Sequence, residues 1–223
     1  MIYAGKGRQV LLVFSISSAV LNVYLMNHQH RILTCITGIG NPEPAYRGTR
    51  HNVGLLMLEL LGDKLLSLSS QGKQGVHPDG LQYRPCKSSP YASYLVVNPR
   101  LVLVRSDKTF INLSGQSVIP VWNQLPRHTR HIVIHDDLSL PVGKVQLRKP
   151  GSSLRGHNGL RDIRRLSKST EFSMLSVGID RPQSRDPEVV ANYVLSKFEP
   201  EELHKIRTVS FDNLWAKLFP LLK

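Results

Sequence analysis

Short β-rich apolar runs alternate with helical patterns along most of this chain, and that alternation narrows the fold more than any other feature. Runs at 32–39, 94–97, 101–105, 131–135, 144–147 and 174–179 read as strands, while residues 55–66 place leucines on a helical period. Strands interleaved with helices predict an α/β domain, and in open α/β sheets the sites gather beyond the carboxyl ends of the strands. The first run is stopped by Gly40-Asn41-Pro42, so a core strand should deliver a loop there. The Gly, Ser, Pro and Lys-rich stretch from Ser67 to Pro90 reads as an exposed, variable connection. Near the other end, Glu199-Pro200-Glu201-Glu202 reads as a helix start, followed by Leu203, Ile206, Leu214, Trp215 and Leu218 on one helical face that docks on the core. No internal repeat is visible, and 223 residues suit one domain.

The ends and the charge bound the setting. Residues 1–31 carry Lys6, Arg8 and Arg31 but no acid, and the first acid of the chain is Glu43. An apolar stretch from Val10 to Met26 is broken by Ser15, Ser17, Ser18 and Asn22, short of the roughly 20 residues that span a bilayer. The expected division is therefore a leader at 1–31, of the mitochondrial kind, and a domain over 32–223. A secretory signal or membrane anchor suits the remainder less well, no stable membrane partner is expected, and cytoplasmic residence is the alternative. With 29 Lys and Arg against 16 Asp and Glu, the net charge of +13 favours a polyanionic partner, nucleic acid first. Two cysteines, Cys35 and Cys86, are too few for a disulfide framework, and Cys35 lies in an apolar run where it packs as a small hydrophobe.

Several local patterns bear on chemistry. Gly38-Ile39-Gly40 follows a strand, but Glu43 stands where a dinucleotide-binding fingerprint has its third glycine. Ser114 lacks the sequence of a nucleophile elbow and reads as a helix cap. His51, His135, Asp136, Asp137 and His157 are metal-ligating types without H-x-H or H-E-x-x-H spacing. Between Arg148 and Lys168 seven basic residues (Arg148, Lys149, Arg155, Arg161, Arg164, Arg165 and Lys168) face one acid, Asp162, which reads as a phosphate track or as a solvated helix face.

Four clusters join polar residues to glycine: Gly38 to Gly54, Phe110 to Gly115, Ile134 to Lys144, and Gly156-His157-Asn158-Gly159. In sequence and order they resemble the signature blocks of bacterial-type peptidyl-tRNA hydrolases, and the resemblance spans roughly residues 32–205. It implies a single α/β domain with a mixed, twisted central sheet flanked by helices in three layers. It also implies cleavage of the ester between a peptide and its tRNA, by a monomer that uses no cofactor and no metal and that contacts the tRNA acceptor end. Carried over residue by residue, His51 is the general base, Asp136 its carboxylate, and Asn41, Asn112 and Asn158 the amides around the scissile bond. Tyr46 matches a tyrosine at the tRNA end of the site, Ile111 stands where many relatives have Met, and His157 contacts substrate or makes a structural hydrogen bond. Arg148, Lys149 and Arg155 fall to the phosphate track. Arg155 replaces a common glycine, and Met174 and Ser176 occupy places where relatives often carry arginines, so Arg181, Arg185 and Lys149 are left to compensate. Two other functions fit the same blocks: a catalytically silent RNA-binding protein of the organellar splicing-factor kind, and a general esterase.

Overall fold

The computed structural model describes residues 32–70, 82–168 and 170–222. The expected leader at 1–31 and residues 71–81 of the Ser67–Pro90 connection lie outside them. Seven strands form one sheet in the order β2-β3-β4-β1-β5-β7-β6. Strand β1 (Thr34–Ile39) runs parallel to β4 (Leu101–Ser106) on one side and to β5 (Arg130–Asp137) on the other, and β7 (Phe172–Gly178) continues parallel beyond β5. Antiparallel strands close both sides: β3 (Ser89–Asn98) and β2 (Arg84–Cys86) next to β4, and β6 (Val145–Arg148) next to β7. The sheet is thus mixed, as the motif blocks imply, and four parallel strands deliver their carboxyl ends to one edge.

Side chains alternate between two apolar layers because a strand's period is two. On β5, Ile132 and Ile134 join Ile36, Leu103 and Val177 against α1 (Val53–Ser70) and α6 (Phe211–Leu222), which contribute Met57, Leu58, Leu61, Leu214 and Leu218. On the other face Cys35, Val104, Val133 and Met174 pack against α2 (Ser114–Trp122) and α3 (Asn158–Ser167) through Val118, Trp122, Leu160 and Ile163. Burial pushes the Cys35 thiol up to about 12, in keeping with a packing role. Asp136 follows Ile134 in the same alternation, so the carboxylate comes off the α1 side of the strand end. A Cβ on Gly54 would lie 2.5 Å from the Ile134 carbonyl oxygen and 2.7 Å from that of Ile39. Only glycine lets the first turn of α1 rest directly on β1 and β5, which brings the residues just before it over the strand ends.

Three expectations need correction. The Ser67–Pro90 stretch is not one loop: Ser67 to Ser70 extend α1, and Arg84–Cys86 pairs with the start of β3. That hairpin lies at the sheet edge, where Pro85 and Pro90 are tolerated and the apolar pattern is weak. The C-terminal pattern starts where expected, with a capping box between Glu199 and Glu202, but divides into α5 (Pro200–Lys205), a π-helical turn (Ile206–Ser210) and α6. Ser114 does not cap α2 by accepting a backbone N–H; its hydroxyl donates to the Ile111 carbonyl at 2.6 Å and ties down the preceding turn. Among the described residues no helix is long and apolar enough to cross a membrane.

His131, on the amino-terminal part of β5, is 5% exposed and stacks on Trp122 with ring centroids 4.2 Å apart. Its Nδ1 finds no hydrogen-bond partner among the described residues, and burial pushes the imidazole down to about 4. The unfolded chain therefore takes up a proton near pH 6.5 that the folded chain refuses until about pH 4. Stability from this group is complete above the unfolded value and falls as pH drops through that window, by roughly 3 kcal/mol in total. His131→Phe, which keeps a ring beside Trp122, is expected to flatten the loss of unfolding free energy between pH 6.5 and 4, measured by urea denaturation; an unchanged slope would remove His131 as its source.

Candidate active site

The carboxyl ends of β1 and β5 meet a single 3-10 turn, Arg50–Asn52, just before α1. This turn carries His51 to Asp136 across 85 residues of sequence, with Nδ1 2.8 Å from Oδ1. Asp136 is 3% exposed, and His51 keeps 20% of its side chain in contact with solvent. A second ring reaches the same carboxylate oxygen: His157 Nε2 lies 3.0 Å from Oδ1. His157 caps α3, its Nδ1 accepting the Leu160 N–H at 3.3 Å, so its proton sits on Nε2 and points at Asp136. Because an ionised carboxylate only accepts, His51 Nδ1 donates to Asp136 and its Nε2 carries the lone pair.

Beneath these lies a third ring. His135 donates through Nδ1 to the Asp136 carbonyl at 2.6 Å and accepts at Nε2 from the Ser176 hydroxyl at 2.9 Å. Its ring meets His157 edge to face at 5.0 Å. Burial, followed by the neighbouring His157, pushes His135 down to about 3, so it stands as a neutral support. For Asp136, burial alone would raise the pKa, but the charges and hydrogen bonds of His51 and His157 hold the carboxyl well below its usual range. For His51, burial works to lower the pKa; the Asp136 charge and hydrogen bond together outweigh it, and the net direction is upward from 6.5.

The asparagines divide. Asn41 is buried at the end of β1, and its Oδ1 accepts the Ile111 N–H at 2.9 Å, which turns its NH2 group the other way. Asn52, which sequence reading passed over, accepts the Asn41 N–H at 2.8 Å and donates to the Asn41 carbonyl at 3.1 Å. It joins the His51 turn to the β1 loop; its place inside the first motif block was the available signal. Asn112 and Asn158 are exposed, at the turn before α2 and at the start of α3, and bond neither His51 nor Asp136. Both elements are drawn close because a Cβ on Gly159 would meet the Ile111 carbonyl oxygen at 2.5 Å. Ile111 itself is buried, while Phe110 is half exposed and meets the Tyr46 ring edge-on at 6.1 Å.

The basic residues are unequally committed. Arg155 reaches the buried Asp137 at 3.3 Å, in a left-handed backbone position (φ 48°) that a glycine would take more easily. Arg165 pairs with Asp162 and Arg164 donates to the Ser152 carbonyl. Lys149 is exposed, and Arg148 Nη1 is buried without a hydrogen bond among the described residues. Met174 and Ser176 are fully buried, so neither position can present a charge to solvent in this chain. One ligand atom each from His51, Asp136 and His157 lies within 4.8 Å of the others, enough to hold an ion. Such binding would require both imidazole nitrogens that face Asp136 to give up their protons, and with them the hydrogen bonds that orient the rings.

Against known proteins, residues 35–218 match the family model described as peptidyl-tRNA hydrolase. The chain is 43% identical to the peptidyl-tRNA hydrolase of Saccharomyces cerevisiae, over 82% of this chain and 93% of that one. It is 39% identical to that of Geotalea daltonii, over 75% and 79%. Among solved structures it resembles a peptidyl-tRNA hydrolase from Acinetobacter baumannii with a TM-score of 0.66 and 29% identity, covering 87% of this chain and 90% of the other.

The opposing influences on His51 make a direct measurement possible. Its ring is expected to titrate above 6.5 by NMR. In Asp136→Asn the carboxylate's charge is gone and burial remains, so the titration should fall below 6.5; an unmoved midpoint would mean that the carboxylate does not govern the ring.

Proposed function

The chain belongs to the peptidyl-tRNA hydrolase family and hydrolyses the ester that joins a peptide to its tRNA, and we propose that His51 and Asp136 activate the water that does so. A water at His51 Nε2 gives up its proton as its oxygen attacks the ester carbonyl carbon, and Asp136 favours the imidazolium as it forms. The tetrahedral oxyanion meets the NH2 group of Asn41, a neutral donor that leaves the charge on His51 undisturbed. Collapse breaks the bond to the ribose oxygen, which takes the proton back from His51, leaving free tRNA and a peptide carboxylic acid. The single observation that carries this reading is the 2.8 Å contact between a partly open imidazole and a buried carboxylate at the strand ends.

Around that centre, Asn112 and Asn158 hold peptide carbonyls at the rim, Ile111 gives the pocket an apolar wall, and Tyr46 with Phe110 offers an aromatic face to the terminal nucleotide. His157 acts on Asp136 as its second donor rather than on substrate, given its 3.0 Å contact. Arg148 and Lys149 take phosphates of the acceptor end. Arg155 does less of this work because Asp137 already engages it. The protein acts as a monomer, as the family resemblance implies. It works in the mitochondrion, to which the acid-free, basic residues 1–31 direct the domain at 32–223.

His51→Ala is expected to lower single-turnover cleavage of an N-acetyl-aminoacyl-tRNA by about 10²–10⁴-fold while tRNA binding is retained, and chelator should leave the wild-type rate unchanged. Wild-type binding without cleavage would favour the silent RNA-binding reading, and tRNA-independent cleavage of small activated esters would favour a general esterase. Charge reversal at Arg148 and Lys149 is expected to raise KM and to reduce the salt slope of tRNA binding by about one per lost phosphate contact. An unchanged slope would rule those two residues out of the phosphate track.

A further inference from the structure

His51 sits in a turn only three residues long, too short to fix a ring's direction by its own hydrogen bonds. Its neighbours supply the anchorage, and they pull in different directions. Asn52 is bound to the β1 loop through Asn41. Arg50 is bound to the C-terminal segment of the chain, for which sequence gave no role beyond docking.

Arg50 is 5% exposed. Its guanidinium donates to both oxygens of Glu202, at 2.9 and 2.6 Å, and through Nε to the Ser196 hydroxyl at 3.3 Å. It lies 4.3 Å from the Tyr193 ring centroid and 5.0 Å from that of Phe198. The Arg50 N–H donates to the Ser196 carbonyl at 2.9 Å, and Thr49 bridges to Lys197. Glu202 is fixed in turn, because it also accepts the Glu199 N–H at 2.8 Å in the cap of α5. Tyr193, in α4 (Pro187–Leu195), donates its hydroxyl to the Ile179 carbonyl, just past β7. A bidentate pair whose guanidinium also lies against two aromatic rings is far more rigid than a surface ion pair.

We propose that Arg50 and Glu202 are positioning residues for the hydrolysis, with the segment from Tyr193 to Glu202 holding the His51 turn against Asp136. A displacement of about 1 Å at a reacting group can cost about 10²-fold in rate, so loosening this clamp acts on the chemical step and not on substrate affinity. The inference rests on His51 being the general base.

The test uses the full chain with Glu202→Ala and the near-isosteric Glu202→Gln, assayed on peptidyl-tRNA across pH, with the His51 titration followed by NMR. Glu202→Ala is expected to lower kcat by about 10- to 100-fold with KM within about twofold, and to move the acid limb and the His51 midpoint together to lower pH as the Asp136 contact loosens. Glu202→Gln should fall between it and wild type. A folded Glu202→Ala with wild-type kcat and an unmoved acid limb, changed only in thermal stability, would overturn the proposal; if that variant does not fold, the same outcome in Glu202→Gln would do so. An active His51→Ala would bring down the reading of the base itself, whereas an inactive His51→Ala beside a normal Glu202→Ala would bring down only the clamp.

Discussion

A carboxylate 3% exposed to solvent has to be compensated, and the structure around this site is organised by that requirement. Asp136 lies near the end of a core strand, where desolvation works to raise its pKa. Two imidazole N–H groups converge on one of its oxygens, at 2.8 Å from His51 and 3.0 Å from His157, and keep it ionised. The bargain is mutual: the carboxylate fixes the orientation and tautomer of both rings. His135, buried and neutral below, closes the arrangement by holding the Asp136 backbone and the His157 ring face.

The fold brings these groups together from distant parts of the sequence. Parallel strands aim β1 and β5 at one edge, Gly54 lets α1 begin almost in contact with both, and the turn just before α1 carries His51 to the strand ends. Asn52 secures that turn to the β1 loop and Arg50 secures it to the C-terminal segment. On the far side, α3 is capped by the same His157 that bonds Asp136, so a helix bearing Arg161, Arg164 and Arg165 is tied to the carboxylate through one side chain.

Much of this was legible in the sequence. The β-rich run ending at Gly40-Asn41-Pro42 and the alternation of strands with helices announce themselves through local composition and period, whereas the His51 and Asp136 blocks and the mixed sheet were legible through their resemblance to the family. What was not legible depends on partners far apart in the chain. The Arg50–Glu202 pair spans 152 residues, and no pattern around Arg50 marks it as buried. Asn52 looked like any polar residue at a helix start until its two bonds to Asn41 gave it a place. The edge hairpin at Arg84–Cys86 carries prolines that argue against a strand unless the strand lies at an edge. The π-helical turn at Ile206–Ser210 shifts the apolar stripe without interrupting it, so a single continuous helix was the natural reading of its spacing.

The central claim is a tautomer: the proton of neutral His51 lies on Nδ1, held by Asp136, so that Nε2 is free to take one from water. Nitrogen-15 NMR of the histidine rings, at a pH where His51 is neutral, reads that directly. The account predicts a protonated Nδ1 and a bare Nε2 for residue 51. A proton on Nε2 instead would leave the ring with no lone pair toward the substrate and would contradict it.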